Sequence, residues 1–249
     1  MENFKDNFSK QSAAYQKYRP SYPKEMFTFL SSLATNHNLA WDCGTGNGQS
    51  AVSLANYFKK VYATDPSAEQ ISNAALNPKI TYKVEKAESS SLINNSVDLI
   101  TVAQALHWFD FEKFYSEVKR VLKPEGIIAV WTYSLPKISS EIDKIILHFH
   151  DNIVGEFWQK ENQLVSEEYK TIPFPFKEIK TPSFLFQKEI TLNDLKGLLM
   201  SWSATQRYKD QKGSEPLLAI ENDLQNLWRN VDETKLATWT IFLKVGTTG

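Results

Sequence analysis

The sequence predicts an α/β fold: a doubly wound, mostly parallel sheet of seven strands carrying a helical cap. Three observations lead there. Short, almost continuously apolar segments alternate with helix-period segments through the first half of the chain, the pattern of a parallel sheet covered on both faces. A glycine-rich turn, Gly44-Thr45-Gly46-Asn47-Gly48, joins the first of these strands to a helix. An acidic residue, Asp65, ends the second strand 21 positions after Gly44.

The elements follow in order. Pro23 sits near the first position of a helix, where its missing N–H costs nothing, and Met26, Phe27, Leu30 and Leu33 then recur at helical spacing. Residues 39–43 read as a strand, 48–58 as a helix, 60–65 as the second strand and 67–76 as a helix. Strands at 80–85 and 97–103 come next, then a helix at 110–122 with Phe114, Val118, Val121 and Leu122 on one face. Lys123-Pro-Glu-Gly126 should stop that helix, and 127–132 makes the fifth strand. After Tyr133 the alternation breaks. Residues 138–170 look helical and aromatic-rich, and the prolines of 172–176 exclude helix there. A strand at 183–190, helices near 192–206 and 215–229, and a strand at 236–245 complete the chain. One domain is expected over 1–249: a ligand-binding core with an N-terminal lid (1–135), a helical cap (136–180) and the remaining sheet and helices (181–249).

Composition narrows the class. With 42% hydrophobic and 23% charged residues and a formal net charge of −1, nothing suggests a sequence-wide surface for nucleic acid or anionic membrane. A single cysteine, Cys43, forms no intrachain disulfide or cysteine zinc cage, and is read as a small buried residue. His148 and His150 are two apart, hence on different faces of a helix, so no metal site is expected. The polar start and the lack of an apolar run near ~20 residues predict a soluble, cytoplasmic protein with no membrane partner.

The turn and its acid carry the chemistry. Glycines let the backbone adopt positive φ and approach a ligand, at the strand end where open α/β sheets bind their ligands. A carboxylate about 20 residues on suits ribose hydroxyls. A dinucleotide site would want glycine where Gln49 stands, and Asp42 at the loop mouth would repel a pyrophosphate. It would suit a ligand carrying an ammonium and a sulfonium, which favours S-adenosylmethionine over NAD. The plainer alternative is a tight turn in which Asp42 caps the helix.

Further blocks join this one in order: FSKQSAAYQKYRPSYP (8–23), WDCGTGNGQ (41–49), ATDPSAEQI (63–71), AES (87–89), VDLITVAQALHWFD (97–110) and EVKRVLKPEGIIAVWTY (117–133). Together they resemble the class I S-adenosylmethionine-dependent methyltransferases, in particular the trans-aconitate methyltransferase-like, type 11 small-molecule group. The second half matches weakly, through SWS at 201–203. The resemblance implies a Rossmann-like sheet in which 236–245 is an antiparallel strand beside the fifth. It implies S-adenosylmethionine as cofactor, with S-adenosylhomocysteine as product. Asp42, Gly44, Thr45 and Gly46 would surround the methionyl part and adenosine, and Asp65 would bond the ribose. Pro66, Ser67, Gln70, Ala87 and Glu88 would lie about the adenine, and Gln104 and Ala105 at the methyl donor. Tyr15 and Arg19 would fold over the cofactor, with Arg19 on its carboxylate.

The acceptor is less legible. His107, just past the fourth strand, could accept a proton or orient the acceptor, its ordinary pKa lying near neutrality. Trp108, Tyr133 and Trp202 would line a small-molecule pocket, and Arg207 could hold an acceptor carboxylate. Trp41 and Trp239 are assigned to the core. A small carboxylic acid is the first choice of acceptor, with a quinone, phenol or other metabolite as alternatives. A non-catalytic S-adenosylmethionine-binding regulator and an NAD-linked oxidoreductase are the competing classes.

Overall fold

A computed structural model describes residues 21–248. Tyr15 and Arg19 lie outside the described residues. The chain runs α1 (Lys24–Leu33), β1 (Leu39–Cys43), α2 (Gln49–Leu54), β2 (Lys60–Asp65), α3 (Ala68–Ser72), β3 (Ile80–Val84), β4 (Val97–Ala103), α4 (Phe111–Val121) and β5 (Leu122–Tyr133). It continues through α5 (Ser140–His148), a π turn (Phe149–Ile153), α6 (Asn162–Ser166), β6 (Lys177–Ile179), β7 (Phe184–Ile190), α7 (Leu192–Met200), α8 (Ser203–Lys212), α9 (Glu221–Trp228) and β8 (Lys235–Thr247).

The sheet order is β3-β2-β1-β4-β5-β8-β6, with β7 also paired to β8. The first five strands are parallel, and β8 runs antiparallel to β5 from Ile127↔Thr247 to Tyr133↔Ile241. This is the expected Rossmann-like arrangement with one strand more than the seven anticipated. The addition is β6, which takes up the end of β8 while β7 pairs with its beginning.

Alternation along the central strands builds two cores. Ile127, Ala129 and Trp131 of β5 face α1 and α2, packing with Met26, Phe27, Leu30 and Leu54. Ile128 and Val130 face α4, with Phe114, Val118 and Val121. Burial on both sides explains why these strands read as unbroken apolar runs. Chain direction from β1 goes outward through β2 and β3, then returns to β4 on the other side of β1. The gap between the carboxyl ends of β1 and β4 is therefore the switch point at which such sheets bind ligands.

Several segments depart from expectation. β5 begins at Leu122: Val97 pairs with Leu122 and Leu99 with Ile127, so Lys123–Gly126 bulges out of the strand, with Glu125 at φ 60°. The helix expected at 192–206 is two helices, broken at Ser201-Trp202. The cap helices are short, and their contacts with α8 and α9 show that 192–228 shares the layer expected from 136–180 alone.

Candidate active site

The loop after β1 is held from below. Asp42 is buried; its Oδ2 accepts from Thr45 Oγ1 at 2.5 Å and its Oδ1 from Thr101 Oγ1 of β4 at 2.7 Å. The expected carboxylate at the loop mouth is thus a pin beneath the loop, tying β1 to β4. Burial pushes its carboxyl up to about 6, against the hydrogen bonds of Thr45, Thr101 and the Ala51 backbone, and the charge of Asp65 adds to the rise. Because the folded pKa lies above the ordinary 3.8, the ionised group weakens the fold progressively from about pH 4 to about pH 6, and fully above that. The shift corresponds to about 3 kcal/mol. Asp42→Asn is expected to raise unfolding free energy by about 1–3 kcal/mol at pH 8 and by almost nothing at pH 4. Denaturant melts at the two pH values check this; a variant weakened at pH 8 would refute it.

Above the pin, Gly44, Gly46 and Gly48 all have positive φ. A Cβ on Gly44 would stand 2.5 Å from Ala105 Cβ and 3.1 Å from the Phe109 ring, so the loop lies against the end of β4. A Cβ on Gly46 would meet nothing nearer than Gln70 Oε1 at 3.9 Å. Asp65 closes the other side: its Oδ2 accepts from Gly46 N–H and its Oδ1 from Ser67 N–H, both at 2.9 Å. Ser67 caps α3 through Gln70 N–H. Glu88 accepts the Asp110 N–H at 3.0 Å beside the buried Ala87. Arg120 steadies the segment after Glu88, bonding Glu117 at 2.6 Å, Leu92 O at 2.8 Å and Ser90 O at 3.3 Å.

A cavity of about 120 Å³ opens past β4 and β5. Trp108, Tyr133 and Trp202 line it as expected, joined by Gln104 and His107. Gln104 has φ 54°, a conformation costing a non-glycine residue about 1–2 kcal/mol, and its Oε1 accepts from Thr132 Oγ1 at 2.8 Å. His107 is buried, with Nδ1 2.7 Å from the Tyr169 hydroxyl, and burial pulls its imidazole down to about 3. That makes it a poor proton acceptor and a good anchor for Tyr169, itself held at φ 59°.

Arg207 is not on the cavity wall: its Nη1 donates to Phe157 O at 2.8 Å, across the cap. Trp239, expected in the core, is both buried and part of the wall. Sequence reasoning missed Trp158 and His150, which also line it. Their signal was weak: an aromatic-rich segment of uncertain helical phase. Among the described residues there is no cluster fit for a metal ion, and no helix is long and apolar enough to cross a membrane.

A doubly wound sheet with a glycine loop and a carboxylate at its switch point is the arrangement at which open α/β folds bind their ligands. Comparison with known proteins specifies which. A family described as a methyltransferase domain matches residues 41–130. A Dictyostelium discoideum protein with a provisional methyltransferase name is 34% identical over 92% of this chain and 89% of its own. A Saccharomyces cerevisiae protein provisionally named an S-adenosylmethionine-dependent methyltransferase is 26% identical over 84% of each chain. The solved structure of an Anaeromyxobacter dehalogenans protein, provisionally a type II methyltransferase, is similar with TM-score 0.86 and 34% identity, covering 93% of this chain and 98% of that one. The chain belongs to the class I S-adenosylmethionine-dependent methyltransferases.

Proposed function

We propose that the protein transfers the methyl group of S-adenosylmethionine to a small molecule with an apolar body, bound in the cavity walled by Trp108, Tyr133, Trp158 and Trp202. The observation that carries this is the adjacency of the two sites. Gln104 and Ala105 directly follow β4, with Ala105 against the glycine loop and Gln104 on the cavity wall.

The residues fit the cofactor. Open space above Gly46 leaves room for a ligand against the backbone. Asp65, whose oxygens accept the Gly46 and Ser67 N–H groups beside the loop, is the carboxylate we assign to the ribose hydroxyls. Glu88, which follows β3, is assigned to the adenine on the family resemblance. S-adenosylmethionine supplies an electrophilic methyl group on a sulfonium, so the protein's work is alignment and exclusion of water. Holding reactants in line in this way can contribute about 7–11 kcal/mol. The strained Gln104 fits that task, since strain of this kind concentrates where a side chain must be held in place. Of the two roles the sequence allowed His107, accepting a proton or orienting the acceptor, we assign it the orienting one, through the cavity wall and Tyr169.

A small carboxylic acid is the acceptor class the family resemblance favours. Arg207 does not support it, because the residue is not part of the cavity wall. The aromatic walls support an acceptor bound mainly by ring faces and neutral hydrogen bonds. Calorimetric titration with S-adenosylmethionine, S-adenosylhomocysteine and NAD tests the cofactor, and a screen of carboxylic acids and phenols for methyl transfer tests the acceptor. Binding of both adenosyl ligands with no NAD binding is the expected result. Preference for NAD would overturn the proposal.

A further inference from the structure

We propose that His150 is the base that takes a proton from the acceptor, and that the acceptor carries an ionisable hydroxyl of the phenol or enol type; this rests on the methyltransferase reading of the cavity. His150 lies in the π turn that follows α5, and the residue lines the cavity. Single π turns often mark functional positions in helices. The ring is held on three sides. Trp158 lies over it at 4.8 Å between centroids, with planes 35° apart, and Trp202 packs at 5.5 Å and 83°. Nδ1 lies 2.6 Å from Asp151 Oδ1. The Trp158 indole in turn donates to the His150 carbonyl at 3.1 Å, locking ring and turn together.

A carboxylate on Nδ1 selects the tautomer with the proton on that nitrogen, leaves the Nε2 lone pair open, and stabilises the imidazolium that forms when Nε2 is protonated. Nε2 makes no hydrogen bond among the described residues. His107, the other imidazole on the wall, is bonded through Nδ1 to a neutral hydroxyl and has no carboxylate to support a charge. In the step proposed, His150 Nε2 takes the hydroxyl proton while the acceptor oxygen bonds the methyl carbon and displaces the sulfur, which leaves with the electron pair as a thioether. The proton then passes from His150 to water. A carboxylate acceptor, already ionised, would leave such a dyad without work.

The test uses the full chain with His150→Gln and Asp151→Asn, each checked for S-adenosylmethionine binding, on phenols of graded acidity. His150→Gln should lower kcat/KM on the least acidic phenols by about 100-fold or more, the usual size of a general-base contribution. It should leave 4-nitrophenol within about threefold when assayed at about pH 8.5, where that phenol is almost fully ionised. Asp151→Asn, a change at an exposed side chain, should give an intermediate loss of about tenfold and carries the test if the histidine variant fails to fold. A second readout needs no turnover. With S-adenosylhomocysteine bound, 4-nitrophenol should show a raised phenolate absorbance in the wild type and not in His150→Gln. Equal losses across the series, no loss, or methylation of carboxylic acids but of no phenol would overturn the role of His150 while leaving the methyltransferase reading intact. Failure of the wild type to bind S-adenosylmethionine would overturn that reading itself.

Discussion

Asp65→Ala is expected to weaken S-adenosylmethionine binding by at least about 100-fold, the largest single loss from any side chain in the proposed cofactor site. The carboxylate has two functions that fail together. It accepts the Gly46 and Ser67 N–H groups, which sets the glycine loop and the start of α3 relative to β2. Under the proposed reading it also accepts the ribose hydroxyls. Hydrogen bonds to a charged group contribute about 1.5–3 kcal/mol each, so losing the ribose contacts alone accounts for a factor of about 100, and loosening of the loop adds to it. Asp65→Asn keeps one acceptor oxygen and should fall between. Calorimetry on both variants decides the matter. Binding by Asp65→Ala within threefold of wild type would remove Asp65 from the cofactor site.

The second large effect separates two glycines that look alike in the sequence. Gly44→Ala combines a left-handed backbone with a Cβ driven to 2.5 Å from Ala105 Cβ, a side-chain atom that no rotamer change can move away. It should destabilise the protein by about 2–4 kcal/mol, from backbone strain of about 1–2 kcal/mol plus overpacking. Gly46→Ala has φ 55° but an open space at Cβ. Its cost to folding should stop at about 1 kcal/mol of backbone strain, while S-adenosylmethionine binding falls more than tenfold because the methyl group occupies the proposed cofactor volume. Thermal melts and calorimetry on the pair give the comparison. A Gly46→Ala variant that binds normally would place the cofactor elsewhere.

What the sequence determined by itself was the strand framework and the place of the glycine loop. The bounds 39–43, 60–65 and 97–103 coincide with β1, β2 and β4 because each is an apolar run ended by a turn or a polar residue, so local pattern and tertiary burial agree. The glycine loop and Asp65 were legible for the same reason: their roles depend on backbone conformation and on a fixed offset along the chain. The tertiary structure decided what depends on partners. Lys177–Ile179 has no strand pattern and becomes β6 only through the ladder of β8. Lys123–Gly126 reads as a turn, yet pairing of Leu122 with Val97 carries β5 through it as a bulge. Asp42 stands next to the loop in sequence, but only the packing of Thr101 from β4 shows that it faces inward. Arg207 had the right chemistry for an acid, but the packing of the cap sets it off the cavity wall, with Nη1 on the Phe157 carbonyl. His148 and His150 were separated by an argument that assumed α-helical phase. A π turn at Phe149–Ile153 changes that phase and sets the His150 ring among Trp158 and Trp202 on the cavity wall. Pattern along the chain encodes which face is apolar. Which polar group meets which is set by segments far apart in sequence, and that pairing exists only once the sheet and its cap have packed.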